Sequence, residues 1–345
     1  MDATTGRPRS DAPARALLGL TRIAEELKTD RPIAELEQLE ADAKALIGST
    51  LLSERLSARD AIHLAAIVRD LGFLRKYKSY AVKAAHLLGY SIFLQRPAEG
   101  FSFQIHRDHK VEVFHILATH AGAKVFICPY SEWLEGYEPD RFARWLAGAS
   151  DSEYDRHAVI PRAGDVYRID QVDTVHTVIG CDLEEYANTS FDMVTRLHDQ
   201  NSGRSIPPQF QASYVAERLR GLVLPDASYL VSANGLRTPI PEEIVAYGET
   251  VRVLSDAPIT ARIRSVSPNG PGRIRQTGEP ALALNLWHGS AALRVHDEDG
   301  GTPPLLLPKG SITLIPPHCS WSVDSDETLT WSEQEILPSE ALATP

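Results

Sequence analysis

Cysteine is scarce in this chain: Cys128, Cys181 and Cys319 are spread over 345 residues without a CxxC pair. That spacing excludes a disulfide framework and a zinc ribbon, so we interpret the three as small buried side chains in a reducing compartment. No apolar run approaches the roughly 20 residues of a membrane-spanning helix. The first 14 residues are polar and Pro-rich, without the apolar core of a signal peptide. These absences predict a soluble, cytoplasmic protein.

Positive charge is also in short supply, because 35 basic residues face 46 acidic ones and the net charge is −11. This balance argues against a nucleic-acid partner, although a local group of basic side chains would still suit a small anion. The apolar fraction of 43% and the charged fraction of 23% are typical of globular proteins. The length allows two domains with proper cores. We expect a small-molecule ligand and neither a nucleic acid nor a membrane as partner.

Helical periodicity dominates the first 90 residues or so. Apolar residues recur every three to four positions after Arg15, and Ser57 with Asp60 forms a capping-box-like helix start. We predict four helices, over residues 15–28, 32–48, 57–72 and 73–88. They make up a helical N-terminal segment over 15–89, preceded by a disordered tail over 1–14.

The pattern changes at about Gly89 to short apolar alternations such as YSIFLQ, FSFQIH and AKVFIC, which are typical of strands. A helical insert is predicted over 138–148. A strand–turn–strand pattern with a PxGD-like turn occurs twice, around PRAGD and LPKGS. We predict a mainly β fold with the following parts: a first β domain over 90–205, a Pro-rich linker over 206–249, a second β domain over 250–337 and a tail over 338–345.

The residues richest in chemistry lie in FSFQIHRDHKVEVFHIL. On a strand, Gln104 and His106 point to one face, and Lys110 and Glu112 share a face after the turn. An amide carbonyl, an imidazole and a carboxylate are ligands that suit a borderline-hard divalent ion. His176, on a later strand, can supply a fourth ligand. The sequence therefore predicts a metal site of Gln104, His106, Glu112 and His176; the alternative is a set of unrelated surface or core side chains.

These motifs resemble those of the type I mannose-6-phosphate isomerases, the two-cupin phosphomannose isomerases. The family's Q-x-H and K-x-E strands stand here as Gln104-Ile105-His106 and Lys110-Val111-Glu112. The PRAGD turn, the DTVHTVIG strand with His176 and the EYANTSFDMVTRLHDQ run follow in the family's order. The resemblance spans roughly residues 100 to 205 and 250 to 337.

The resemblance implies two cupin barrels (double-stranded β-helix, jelly-roll), of which the first binds metal. It implies zinc, although the ligand set also suits Fe, Mn, Co or Ni. The activity it implies is aldose–ketose isomerisation of a sugar or sugar phosphate through a cis-enediol intermediate.

Four further residues match the family's catalytic elements. His109 and Lys110 lie in the H-K-x-E element and, with Glu185, are candidates for proton transfer. Arg196 is the candidate for holding an enediolate or phosphate oxygen. Each has a structural alternative: a surface histidine, a solvated lysine, a structural carboxylate, and an ion pair of Arg196 with Asp199.

The chain departs from the family at its beginning, where helices replace an aromatic W-G-G-type opening, and in the short stretch between the Q-x-H and K-x-E strands. The metal site therefore carries over better than the sugar specificity. Two other functions stay open: another cupin metalloenzyme (dioxygenase, epimerase or lyase), and a non-catalytic sugar-binding cupin whose helices form a homodimer surface. The second barrel has His288 and His318 but no carboxylate at matching spacing, and we expect it to be metal-free and structural.

Overall fold

The computed structural model describes residues 11–27, 29, 33–52, 55–71, 76–77, 81–107, 109–188, 194–199, 212–246, 248–268, 274–296 and 302–336. Its helices are α1 (Ala12–Leu27), α2 (Ile33–Leu46), α3 (Ala58–Leu71), α4 (Tyr130–Gly136), α5 (Pro139–Leu146), α6 (Ser152–Asp155) and α7 (Ala212–Gly221), with a π-helical turn (Ile47–Leu51) after α2.

The strands are β1 (Lys76–Tyr77), β2 (Ala81–Leu87), β3 (Tyr90–Gln95), β4 (Phe103–His106), β5 (Glu112–Pro129), β6 (Ala158–Val159), β7 (Asp165–Ile169), β8 (Thr174–Ala187), β9 (Val194–His198), β10 (Tyr229–Val231), β11 (Arg237–Pro239), β12 (Glu242–Ala246), β13 (Glu249–Ser255), β14 (Ala261–Val266), β15 (Arg275–Gln276), β16 (Ala281–His288), β17 (Ala291–His296), β18 (Leu305–Leu307), β19 (Ile312–Ile315), β20 (Ser320–Asp324) and β21 (Leu329–Ile336).

Three of the four predicted N-terminal helices are confirmed as α1, α2 and α3. Helix α1 buries Leu17, Leu20 and Ala24 at helical spacing. Helix α3 begins at the predicted cap, where the Asp60 backbone N–H donates to Ser57 Oγ at 3.1 Å. This bond satisfies a donor that the first helical turn leaves without an intrahelical partner.

The predicted fourth helix over 73–88 is wrong. The described part of this segment forms β1 and β2, and β2 pairs antiparallel with β3 from Leu87↔Tyr90 to Ala81↔Gln95. The Ala-rich sequence AVKAAHLL has good helix propensity, but the turn at 88–89 places it beside a buried strand. Helix propensity differs among residues by only a few tenths of a kcal/mol, and the hydrogen bonds between β2 and β3 outweigh these differences.

The segment predicted as a linker, 206–249, contains regular structure. Residues 206–211 lie outside the described part, but α7 and β10 to β12 follow. Strand β10 pairs in parallel with β7, with Tyr229 opposite Asp165, and antiparallel with β11. Proline punctuates these short strands at their ends, which is where a strand tolerates it.

The chain divides into two compact units: residues 1–73, 246–249 and 264–345 in one, and residues 74–245 and 250–263 in the other. In the first unit, α3 packs on β19, and Thr313 Oγ1 donates to the Ala65 carbonyl at 2.9 Å. Strand β16 lies between β19 and β21, and a second sheet has the order β15-β20-β17-β18. The helices thus belong to the same unit as the second β block.

The other unit is built on an 11-stranded sheet with the main order β1-β2-β3-β8-β5-β7-β10-β11. Strand β4 pairs with β8 and β9, and β6 pairs with β5. The predicted helical insert is present as α5, whose Phe142 and Trp145 pack with Phe103 in an aromatic cluster.

The fold class is mainly β, as predicted, with an N-terminal helical segment. The described strands form open sheets, so the predicted barrels are not closed ones. In the described part of the chain, no helix is long and apolar enough to cross a membrane. Cys128, Cys181 and Cys319 are buried and unpaired, and burial raises the pKa of Cys319 to about 11. The predicted burial of the three cysteines is therefore confirmed.

Candidate metal site

The long antiparallel pair of β5 and β8 bends back on itself and brings distant residues together. Glu112 pairs with Ala187 at one end of β8, and His176 lies about eleven residues away at the other end. A straight strand of that length would span about 36 Å. Instead, Glu112 Oε2 lies 3.5 Å from His176 Nε2. The bend is made by register shifts in β5 and by Gly180, whose φ is +65°.

Three of the four predicted ligands converge at this bend. Glu112 Oε2 lies 3.1 Å from His106 Nε2, and the ligand atoms of His106, Glu112 and His176 all lie within 4.8 Å of one another. The two imidazole rings meet edge to face with centroids 4.4 Å apart. Each residue is at most 2% exposed. Two buried imidazoles and a buried carboxylate are a suitable ligand set for a divalent ion.

The carboxylate of Glu112 has a different partner at each oxygen. Oε1 forms a buried ion pair with Lys110 Nζ, while Oε2 faces the two histidines. Burial by itself raises the pKa of Glu112, but the Lys110 ammonium and the imidazoles of His106 and His176 lower it well below the usual range. Glu112 is therefore an anion at neutral pH, with one oxygen directed at the site.

Hydrogen bonding orients His176 for ligation. Its Nδ1 lies 2.9 Å from the Thr174 carbonyl, which can only accept, so the proton sits on Nδ1 and the Nε2 lone pair faces the site. Burial lowers the pKa of His176, an effect that the contact with Glu112 opposes in part, so the ring is neutral. A neutral imidazole with a free Nε2 is the form that binds metal.

Gln104 completes the predicted set. It lies directly opposite His176 in the β4–β8 pair, with Nε2 of its amide 3.4 Å from His176 Nε2. Its other amide atom is 3.5 Å from Ser102 Oγ, a hydroxyl that both donates and accepts. Rotation of the amide by 180° turns its carbonyl oxygen toward the site and keeps the contact with Ser102, so Gln104 fits an oxygen ligand.

Unpartnered buried atoms provide the test of whether these residues fit a metal. Despite the short separations, the alignment is wrong for hydrogen bonds. Both ring nitrogens of His106 and Oε2 of Glu112 lack a hydrogen-bond partner among the described residues. Buried polar atoms without partners are costly, typically about 1–3 kcal/mol each. A divalent cation between them would satisfy Nε2 and Oε2 together, so the site fits the predicted metal.

Three of the four predicted catalytic residues lie near the cluster, at different depths. Lys110 is buried against Glu112. Glu185 is half-buried and lies opposite Phe114, whose ring faces His176 at 6.3 Å between centroids. Arg196 lies opposite Gln104 in the β4–β9 pair and is exposed. Paired residues share a face of a sheet, so both side chains lie on the side of the metal ligands.

His109 stands apart from the other candidates. It is exposed in the turn between β4 and β5, and its backbone carbonyl accepts a hydrogen bond from Asn188 Nδ2 at 2.9 Å. The described contacts do not bring its imidazole to the metal ligands.

Sequence reasoning missed a second buried cluster, on the face of β5 and β8 opposite to Glu112. His115 Nδ1 lies 3.0 Å from Glu184 Oε2, and Tyr90 and Tyr186 donate hydroxyl bonds of 2.6 and 2.9 Å to the same carboxylate. The sequence did contain a signal for this cluster. Side chains alternate between the two faces of a strand, and His115 is an odd number of residues from Glu112, so the two side chains of β5 point to opposite faces. This network fastens β3, β8 and β5 to one another behind the site.

The second β block has an ion-pair network in its interior. Its members are two arginines and two glutamates: Arg264, Arg275, Glu249 and Glu333. Arg264 bonds Glu333 at 2.6 Å and Glu249 at 2.7 Å, and Arg275 bonds Glu249 at 2.8 Å. His288 and His318 are both exposed.

Comparison with known proteins gives fold likeness alone. No family model matches the chain, and no curated protein matches it. A mannose 6-phosphate isomerase structure from Bacillus subtilis is 14% identical, with 70% of this chain and 74% of that chain covered at a TM-score of 0.44. A tryptophan-to-phenylalanine variant of oxalate decarboxylase from B. subtilis is 16% identical, with 76% and 75% covered at a TM-score of 0.43. Function is therefore argued from the residues of the site.

Proposed function

We propose that this chain is a metal-dependent cupin enzyme that interconverts the aldose and ketose forms of a sugar or sugar phosphate. The observation that carries the proposal is the convergence of His106, Glu112 and His176 within 4.8 Å, with unpartnered atoms facing one another. Gln104 is the proposed fourth ligand. The donor set suits zinc and also accepts Fe, Mn, Co or Ni.

Aldose–ketose isomerisation moves a proton between C2 and C1 while the adjacent oxygens exchange carbonyl and hydroxyl roles. A divalent ion at the site would supply electrophilic polarisation of those oxygens. Lys110 Nζ is the buried group next to the ligands that can hold and release a proton, and we assign proton transfer to it, with Glu185 as the second candidate.

Arg196 and His109 are assigned to the outer part of the site. Arg196 is exposed beside Gln104, where a guanidinium can hold an enediolate or phosphate oxygen in a bidentate manner. His109, in the exposed turn before Lys110, is the remaining proton-transfer candidate.

The test is to purify the protein without a histidine tag, measure bound metal by elemental analysis, and incubate it with mannose 6-phosphate in deuterated water. We expect about one equivalent of metal, formation of fructose 6-phosphate and deuterium at the carbon that receives the proton. His176→Ala should lose metal and turnover, whereas His63→Ala, on an exposed face of α3, should keep both. A protein without metal would contradict the proposal at its foundation.

A second candidate is another metalloenzyme chemistry at the same ligands. It is favoured by the ligand set itself, because imidazole and carboxylate donors without thiolate also accept redox-active Fe or Mn. This second candidate would be supported if the protein contains Fe or Mn and consumes oxygen, and if it isomerises none of a panel of free and phosphorylated sugars.

A further inference from the structure

A groove lies on the surface of the unit that carries the metal ligands, between the PRAGD turn and the loop at 232–236. Its volume is about 430 Å³, and the side chains that matter for its chemistry are Asp155, Arg156, Ile160, Arg162, Asn234 and Arg237. This volume is in the range of small-molecule sites, roughly 300–1,000 Å³. None of the four proposed metal ligands lines it.

Arg237 gives the groove a fixed cation. Its Nε and Nη2 bond the fully buried carboxylate of Asp165 at 2.8–3.1 Å, and Nη2 also donates to the Ile160 carbonyl at 2.7 Å. These hydrogen bonds to Asp165 and Ile160 use Nε and Nη2 and leave Nη1 out. The guanidinium is therefore held in place with one nitrogen available, which reduces the entropy that a ligand would have to offset.

Two further arginines can adapt to a ligand. Arg162 is exposed, and within the described ranges its guanidinium has neither an ion-pair nor a hydrogen-bond partner. Arg156 bonds Glu132 at 2.9 Å, but the two side chains are 55% and 44% exposed. Exposed pairs of this kind contribute little and exchange readily with another anion.

Hydrogen-bond donors predominate in the groove. Asn234 Oδ1 already accepts from Ser232 Oγ and the Leu236 backbone N–H, which leaves its amide N–H groups available. The one acidic lining side chain, Asp155, is occupied by Trp145 Nε1 at 2.8 Å and Ser150 Oγ at 2.9 Å. The side chains of Arg237 and Arg156 are paired with carboxylates, whereas that of Arg162 has no carboxylate partner in the described ranges. The guanidinium N–H groups around the cavity therefore favour an anion with several acceptor oxygens, with Arg162 as its main positive charge.

Phosphate matches this arrangement better than carboxylate does, because its three oxygens and roughly two negative charges can be shared among separate guanidinium groups. An apolar surface for the rest of such a ligand is present as well, since Ile160 is 78% exposed at the groove. We propose that this groove binds a small organic phosphate, with the phosphate on Arg162 and Arg237 and the organic part against Ile160. The site is separate from the proposed metal centre and does not depend on the function proposed for it.

The test is isothermal titration of the full-length protein at low salt with AMP, ribose 5-phosphate and inorganic phosphate as probes. We expect an organic phosphate to bind more tightly than inorganic phosphate. Arg162→Gln should weaken binding about 10- to 100-fold, the effect of one lost hydrogen bond between charged groups. Arg144→Gln, an exposed arginine of α5 outside the groove, is the matched control and should not change affinity. Tighter binding of AMP would indicate a nucleotide as the ligand, and tighter binding of ribose 5-phosphate would indicate a sugar phosphate.

His176→Ala separates this site from the metal centre, because it removes a metal ligand and leaves the groove intact. Unchanged phosphate binding in His176→Ala supports the proposal even if the enzyme proposal fails. Equal loss in Arg162→Gln and Arg144→Gln, equal affinity for organic and inorganic phosphate, loss of binding in His176→Ala, or no binding of any probe would each overturn it.

Discussion

Lys110 and a bound metal ion share one carboxylate, and this gives a quantitative prediction. In the metal-free protein, Lys110→Met leaves Glu112 buried at 1% exposure without its ammonium partner. Removing one member of a buried ion pair costs about 3–5 kcal/mol, because the remaining charge is neither solvated nor compensated. Methionine preserves most of the aliphatic stem, so packing contributes little to this loss.

Metal should change the result. In the Lys110→Met variant, a cation bound at Glu112 Oε2 compensates the negative charge of the carboxylate. The repulsion between this cation and the Lys110 ammonium is also removed. We expect the destabilisation to shrink to about 1.5 kcal/mol or less in saturating zinc, the usual limit for a volume-conserving exchange. By linkage, the variant must then bind zinc more tightly than the unmodified protein does.

The assay is urea unfolding followed by circular dichroism, in EDTA and in zinc, with thermal midpoints as a second measure. Lys309→Met, in an exposed turn, is the control for loss of a lysine and should have no effect. Equal destabilisation of Lys110→Met with and without zinc would refute the idea that lysine and metal share Glu112.

Three further substitutions test the site, the bend and the second β block. His176→Ala should reduce bound metal to near zero while circular dichroism keeps its strand signal; one retained equivalent would show that His176 is not a ligand. Gly180→Ala should lower stability by about 1–2 kcal/mol, since the residue has φ +65° and a new Cβ would lie 3.2 Å from a backbone carbon of β5. Gly221→Ala, which meets no atom within 4 Å, is its control, and equal thermal midpoints would contradict this account. Burial raises the pKa of Glu249, but two arginines outweigh burial and lower it. Its stabilisation is therefore present above the unfolded pKa of about 4.3 and is lost as pH falls through the folded value. Glu249→Gln should flatten the acid decline in urea midpoint below about pH 4.3, and an unchanged decline would count against the network.

Local patterns in the sequence predicted the secondary structure of segments in which the buried side chains recur at the spacing of a helix or a strand. The stripe that includes Leu17 and Leu20 predicted α1, and the Ser57 cap predicted the start of α3. Alternation predicted that Gln104 and His106 share a face of β4. The chemistry of these donors, together with His176, was enough to nominate a divalent metal.

Tertiary structure decided everything that depends on pairing between distant segments. The described part of the segment predicted as a helix over 73–88 forms strands, because β2 pairs with β3 and helix propensity cannot anticipate that pairing. The contact of Glu112 Oε2 with His176 depends on the bend of β5 and β8, which no local period encodes. The arginine groove likewise joins the PRAGD turn to a segment predicted as a linker. The sequence determines which side chains can ligate a metal, donate a hydrogen bond or pack. Whether residues distant in the sequence come into contact depends on how the strands pair, and that pairing is a property of the whole sheet.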